Sequence, residues 1–266
     1  MTVVTRDEFA QVLVASQATL SEVAEQDWSV AAGTLEWSCR QTVDHMIDCV
    51  FSYAMQVAAR APSGFLPFGE LHATADASNR DLITGLRAVG QLFQDVVTNA
   101  PSGTTASDGV LSLDVGDWCA RAAYELAVHT HDIASGAGLS WELQGDLSTS
   151  ITASPGLWMF DRAAAAAGTD PWTTLLRGSG RPAWTQGDLS RAAASGDDSL
   201  APVITEPQRD CASRAIAACG PLCAAHGVHP RLDPTPAVRS RALDRPLERH
   251  AHAFAQLERW RIGGLG

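Results

Sequence analysis

Apolar side chains recur at helical spacing in five stretches before residue 170, and Gly-, Pro- or Ser-rich segments separate those stretches. This pattern constrains the fold more than any other feature. A 3.6-residue period gives each helix one face to bury, and a strand cannot use it. The first stretch runs from about Asp7 to Gln26, with Phe9, Val12, Leu13, Leu20 and Val23 in register. Trp28, Gly33 and Trp37 fall in the loop that follows. Ser38 is a candidate N-cap for a second helix from about Arg40 to Arg60, whose stripe is Val43, Met46, Ile47, Val50, Ala54 and Val57. The broken segment Ala61–Glu70, APSGFLPFGE, is a connection. A third helix, from about Ser78 to Thr98, turns Leu82, Leu86, Val89, Leu92, Phe93 and Val96 inward. After a loop over Pro101–Gly109, alternation in Val110–Val115 allows one strand-like piece. The fourth helix runs from about Gly116 to Ser135 and ends at Gly136 and Gly138. The fifth spans about Asp146 to Ala167, broken or kinked at Pro155–Gly156. There is no strand–helix–strand alternation and no Gly-rich phosphate loop, which argues against a dinucleotide fold. The expectation is an all-α protein, an antiparallel helical bundle with one additional helix.

Charge divides the 266 residues. Residues 1–187 hold 9 Arg against 21 Asp and Glu, whereas residues 188–266 hold 10 Arg against 9 acids. Lys is absent, so every fixed side-chain cation is Arg. A formal net charge of −11 argues against nucleic acid as the main partner. The later stretch is rich in Ala, Arg, Pro and His and has few large apolar residues. Only Phe254, Leu257, Trp260 and Ile262 suggest a late amphipathic helix. The expected organisation is a helical bundle over 1–187 and a poorly ordered extension over 188–266. No apolar run reaches the roughly 18–20 residues of a membrane span. The start, MTVVTRDEF, lacks the layout of a signal peptide. Cys39, Cys49 and Cys119 sit singly in helical stretches, as buried hydrophobes or free thiols. A cytoplasmic protein is the expectation.

Chemistry concentrates in Trp118–Gly138, WCARAAYELAVHTHDIASGAG. Glu125 and His129 are four apart and stack on one helix face. At about 100° per residue, Trp118, Ala122, Glu125, His129 and Asp132 share one stripe about 80° wide. Leu126 and Ile133 flank it, so the stripe faces the interior. A carboxylate and an imidazole buried there are costly unless paired or bound to a metal. They are also two ligands of the kind zinc and other divalent ions accept. A third must come from another helix, and His45 on the second helix is the best candidate. His72 falls in a loop, and His131 points away from that stripe on the wheel. The competing reading is an ordinary surface pair between Glu125 and His129, worth a few tenths of a kcal/mol. Asp132 is a candidate to orient His129 or His45 from behind; Asp44 and Asp48, flanking His45, could do the same or face solvent. Trp28, Trp37, Trp158 and Trp172 read as core or loop anchors. Cys211, Cys219, Cys223, His226 and His229 lie close in sequence but fit no zinc-finger spacing, so incidental placement is preferred. No Ser lies in a G-x-S-x-G elbow, so Ser-His-Asp catalysis has no support.

Three ordered motifs carry a resemblance. Trp37–Ala54, WSCRQTVDHMIDCVFSYA, resembles the first signature of the mycothiol-dependent maleylpyruvate isomerase N-terminal family, in which a Trp precedes a helix bearing a His. Glu125–Gly138, ELAVHTHDIASGAG, is similar to the second signature. Pro171–Pro182, PWTTLLRGSGRP, resembles the closing segment of related members. The resemblance covers about residues 5–187. It implies a DinB-like four-helix bundle holding a divalent metal, usually zinc, on His45, Glu125 and His129. It also implies mycothiol as cosubstrate and a small electrophile as its target, in a transferase or isomerase reaction. In the isomerase itself a C-terminal domain helps close the active site. The tail here shows none of that domain's pattern, so thiol transfer or another metal-dependent reaction is the safer expectation. The alternative is a non-catalytic metal-binding or stress-response protein on the same fold.

Overall fold

The computed structural model describes residues 4–181 apart from Gly69, Trp158 and Met159. Expectations for Trp158, for 188–266 and for the Cys and His cluster after Cys211 lie outside the described residues. The described part is mostly helical. There are four long helices, α1 (Arg6–Glu22), α2 (Cys39–Ala59), α3 (Asn79–Asn99) and α4 (Val115–Gly136), with a short antiparallel hairpin of β1 (Thr105–Ser107) and β2 (Ser112–Asp114) between α3 and α4. Three short helices follow, α5 (Gly145–Ala153), α6 (Arg162–Ala165) and α7 (Pro171–Gly178). No described helix is long and apolar enough to cross a membrane.

Local chemistry explains the starts. Thr5, Ser38 and Ser78 each accept the backbone N–H three residues on, and Glu8, Gln41 and Asp81 return the bond to the cap's own N–H. The expected stripes of the first two helices are all buried. In α3 the stripe is rotated: Leu92 is 40% exposed, and Gly90 and Val97 face inward beside Leu82, Leu86 and Phe93. Gly90 takes that place because a Cβ there would meet Leu13 of α1 at 2.4 Å. α1 stops at Glu22, short of the expected Gln26. The Val23 carbonyl is taken by the Gln26 N–H and by the buried Trp28 indole at 3.0 Å, which closes the helix.

The expected fifth helix is two. α5 ends before Pro155, and Asp117 of α4 holds the break, accepting from the Ser154 hydroxyl (2.8 Å) and the Gly156 N–H (3.2 Å). The expected single strand acquired a partner, β1, from the segment read as loop. α7 lies within Pro171–Pro182, the third of the resembling motifs. It is capped by Asp170 and begins with Pro171 at a position where a missing N–H costs nothing.

α1 packs on α3 and α4, and α2 packs on the same two helices. The directions are not uniformly antiparallel. Asn79 at the start of α3 donates to Ala24 and Gln26 after α1, and Phe93 meets Phe9, so α1 and α3 run oppositely. Cys39 lies against Ile133 and Tyr53 against Trp118, so α2 and α4 are also opposed. Yet Arg40, opening α2, donates to the Thr74 and Ala77 carbonyls just before α3, and Ile47 touches Gly85. α2 and α3 therefore run parallel, which corrects the expected antiparallel order. The reason is the long connection after Ala59, which returns down the whole length of α2. Asp48 accepts the Leu71 N–H and Asp44 the Ala73 N–H, each at 2.8 Å, so residues 40, 44 and 48 fasten one stretch per turn. Gln56 anchors the upper part through Gly64, Leu66 and Ser107.

Candidate metal centre

α4 is buried all round from Trp118 to Thr130. Ala120, Ala122, Ala123 and Ala127 let its neighbours approach closely, which leaves two polar side chains, Glu125 and His129, facing α2. Across from them α2 presents His45, Cys49 and Tyr53, one turn apart and on one face. The His45 and His129 Nε2 atoms lie 3.6 and 3.3 Å from the same Glu125 oxygen, Oε2. All three donor atoms fall within 4.8 Å of one another. Three donors at about 2.0–2.1 Å from one tetrahedral ion would sit about 3.3–3.4 Å apart. The cluster can therefore hold a metal ion with small adjustments. Among the described residues it is the one group of three or more His, Cys, Asp or Glu side chains so arranged. The side chains of His45, Glu125 and His129 are 14, 10 and 9% exposed, so this is not an open surface pair.

What surrounds the triad fixes its donors. Asp132, one turn after His129, receives the His129 Nδ1 proton at 3.0 Å. An ionised carboxylate only accepts, so Nδ1 carries a hydrogen, and once the ring is neutral Nε2 is the ligand nitrogen on the side of Glu125 and His45. Tyr53 donates to the other Glu125 oxygen, Oε1, at 3.4 Å. The Trp37 ring stands beside both imidazoles, 5.2 Å from His45 and 6.4 Å from His129. Cys49 Sγ is 3.4 Å from His45 Nε2. Among the described cysteines, Cys39 and Cys119 are buried free thiols and Cys49 is a half-buried one.

Burial alone would push the Glu125 carboxyl up, but hydrogen bonds and charge from His129 and His45 overcome it and hold the group well below the carboxylate range. Asp132 is likewise buried, and the adjacent Arg181 and His129 hold it down to about 2. In His129, burial opposes protonation; Asp132 and Glu125 outweigh it and raise the imidazole's pKa. Burial, with Cys49 and Glu125 beside it, raises the Tyr53 hydroxyl well above its usual value, so it stays a donor.

The remaining candidates separate. His131 packs on Trp172 (ring centroids 5.5 Å apart) away from the triad, and His72 bridges Asp44 and Glu70 at the surface. Asp44 and Asp48 hold the connection to α3, accepting the Ala73 and Leu71 N–H groups. Trp28 and Trp172 are core anchors, whereas Trp37 is a wall of the candidate site. Two surface depressions, about 510 Å³ beside Arg60 and Gly103 and about 390 Å³ beside Arg162 and Thr174, include no triad residue. Access to the donors is along their thin exposed edge.

Sequence reading missed Arg181, whose Nε and Nη2 donate to the two Asp132 oxygens at 2.8 and 2.6 Å. Its signal was the G-R at the end of Pro171–Pro182, legible only as a resemblance. Tyr53 was legible as the residue two turns beyond His45. No family model, no curated protein and no solved structure matches the chain.

Proposed function

We propose that the protein is a metal-dependent enzyme that activates a low-molecular-weight thiol, of the mycothiol type, for transfer to or isomerisation of a small electrophilic substrate. The observation that carries this reading is the convergence of His45 Nε2, His129 Nε2 and Glu125 Oε2 from two helices. Two imidazoles and one carboxylate make a three-ligand set, which leaves a tetrahedral ion one position for a small molecule. The donor types suit zinc, though other divalent ions accept them. A DinB-like relationship rests on the three sequence motifs and the four long helices. A divalent ion held by His45, Glu125 and His129 would supply Lewis acidity, which favours the ionised, nucleophilic form of a thiol at neutral pH.

The chain's own residues prepare the site. Asp132 fixes the His129 tautomer, Tyr53 occupies Glu125 Oε1 and so leaves Oε2 to the ion, and Trp37 screens the two imidazoles from water on one side. The test is turnover of an electrophilic substrate in the presence of mycothiol by the zinc-loaded full chain, with the His45→Ala chain as control. Thiol-dependent turnover lost in the variant is the expected result. Stoichiometric zinc without turnover would favour the second reading, a non-catalytic metal-binding or stress-response protein. The observation on that side is burial, since about a tenth of each donor side chain meets solvent.

A further inference from the structure

Arg181 has no role in the reading above, yet it reaches the back of the candidate centre. The chain arrives there by a helix ending. α7 closes at Ser179, and Gly180, with φ +75°, adopts the left-handed turn. The Gly180 N–H then bonds the Arg177 carbonyl, and the Arg181 N–H bonds the Leu176 carbonyl. These two bonds are the Schellman arrangement, which reverses the chain at a helix end and fixes the next residue's direction. The next residue is Arg181, and its side chain runs inward rather than out to solvent, only 11% exposed. The guanidinium engages Asp132 as a fork: Nε donates to Oδ1 at 2.8 Å and Nη2 to Oδ2 at 2.6 Å. Nη1 donates to the Ser179 carbonyl at 3.2 Å, which ties the head group back to its own turn. Nη2 also lies 3.4 Å from His129 Nδ1.

We infer that Arg181 is a positioning residue for the metal centre: through the fork it sets the plane of the Asp132 carboxylate, and thereby the orientation and tautomer of His129. The inference rests on the metal reading of the triad. A two-point fork holds a carboxylate plane, which a single point charge does not. With the plane fixed, Oδ2 faces His129 Nδ1 at 3.0 Å, and Nε2 is aimed at the position shared with His45 and Glu125. Without the fork the carboxylate is free to turn about its χ2 axis, and Nδ1 loses its fixed acceptor. The segment Ser179–Gly180–Arg181 thus acts on the centre without touching the ion. The competing account is that the pair merely pins α7 to α4.

The two accounts separate by experiment. In the full chain, Arg181→Met and Arg181→Lys are compared with the parent by zinc affinity, from competition with a chromophoric chelator, and by imidazole nitrogen NMR of the ion-free protein at a pH above the His129 titration, where the ring is neutral. Outer partners of metal-ligating histidines are typically worth 10–100-fold in affinity. The expected result for Arg181→Met is a loss of that size, with His129 nitrogen shifts moving from a single Nδ1–H tautomer to a mixture. Arg181→Lys, keeping the charge but losing the fork, should fold like the parent and recover the affinity only in part. Parental affinity and an unchanged His129 tautomer in both variants would overturn the inference, even if melting temperature falls. If the parent itself binds no zinc, the metal reading fails with it; a parent that binds zinc and variants that match it would sink the Arg181 role alone.

Discussion

His129 and Glu125 reach one point with His45, the first held from behind by Asp132 and the second by Tyr53. Asp132 is the test of that at the level of single side chains. Asp132→Asn keeps the shape but makes the acceptor neutral, and 10–100-fold weaker zinc binding is expected, measured against a chelator of known affinity. An unchanged affinity would mean that the His129 tautomer does not depend on this bond. Proton linkage gives a second test, with two opposite signs. The folded Asp132 carboxyl sits near 2, below its ordinary 3.8, so its stabilisation is present above about pH 4 and disappears as pH falls through 2. His129 in the ion-free protein is raised above 6.5. Its stabilisation is complete below that value and is lost as pH rises through the folded pKa. A metal needs the neutral imidazole, so ion and proton compete for the same nitrogen. From about pH 8 down to about pH 6, then, the ion-free protein should melt higher while the rise in melting temperature on adding zinc shrinks. A zinc-induced rise that is constant over that interval would remove His129 from the centre.

At the level of helices, most boundaries were legible because they are local chemistry. The reciprocal caps at Ser38 and Ser78 follow from side chains three residues apart, and the triad's two members on α4 follow from an i,i+4 spacing. Other features depend on partners distant in sequence. The rotation of α3 follows from Leu13 of α1 needing the space above Gly90, and no periodicity within α3 records it. The break after α5 was visible in Pro155, but its capture by Asp117 was not. The parallel course of α2 and α3 is set by Arg40, Asp44 and Asp48 binding backbone of the connection, and side chains at i,i+4 look the same when they face water. Gly90→Ala checks the α1–α3 contact. The added methyl must displace the buried Leu13, so a loss of about 1–3 kcal/mol is expected by urea denaturation. Leu92→Ala, on the exposed face of the same helix, should stay within about 0.5 kcal/mol. Equal effects at the two positions would restore the unrotated stripe.

For the molecule as a whole, the four long helices make a frame that holds the triad on the facing sides of α2 and α4, and α7 reaches it from behind. α7 delivers Arg181 to Asp132, Asp132 holds His129, and His129 meets Glu125 and, across the helix interface, His45. Asp132 and the triad were legible as a candidate set, because buried titratable groups at helical spacing demand partners. Arg181 was not, since only the turn after α7 turns it inward. This frame brings His45, Glu125 and His129 together as a set that could hold one divalent ion. Elemental analysis of the purified full chain beside its His129→Ala variant tests it most directly. The parent should hold one divalent ion per chain, zinc foremost, and the variant should show a clear loss of that metal. A parent that takes up no divalent ion, or a variant that keeps the parent's full content, would contradict it.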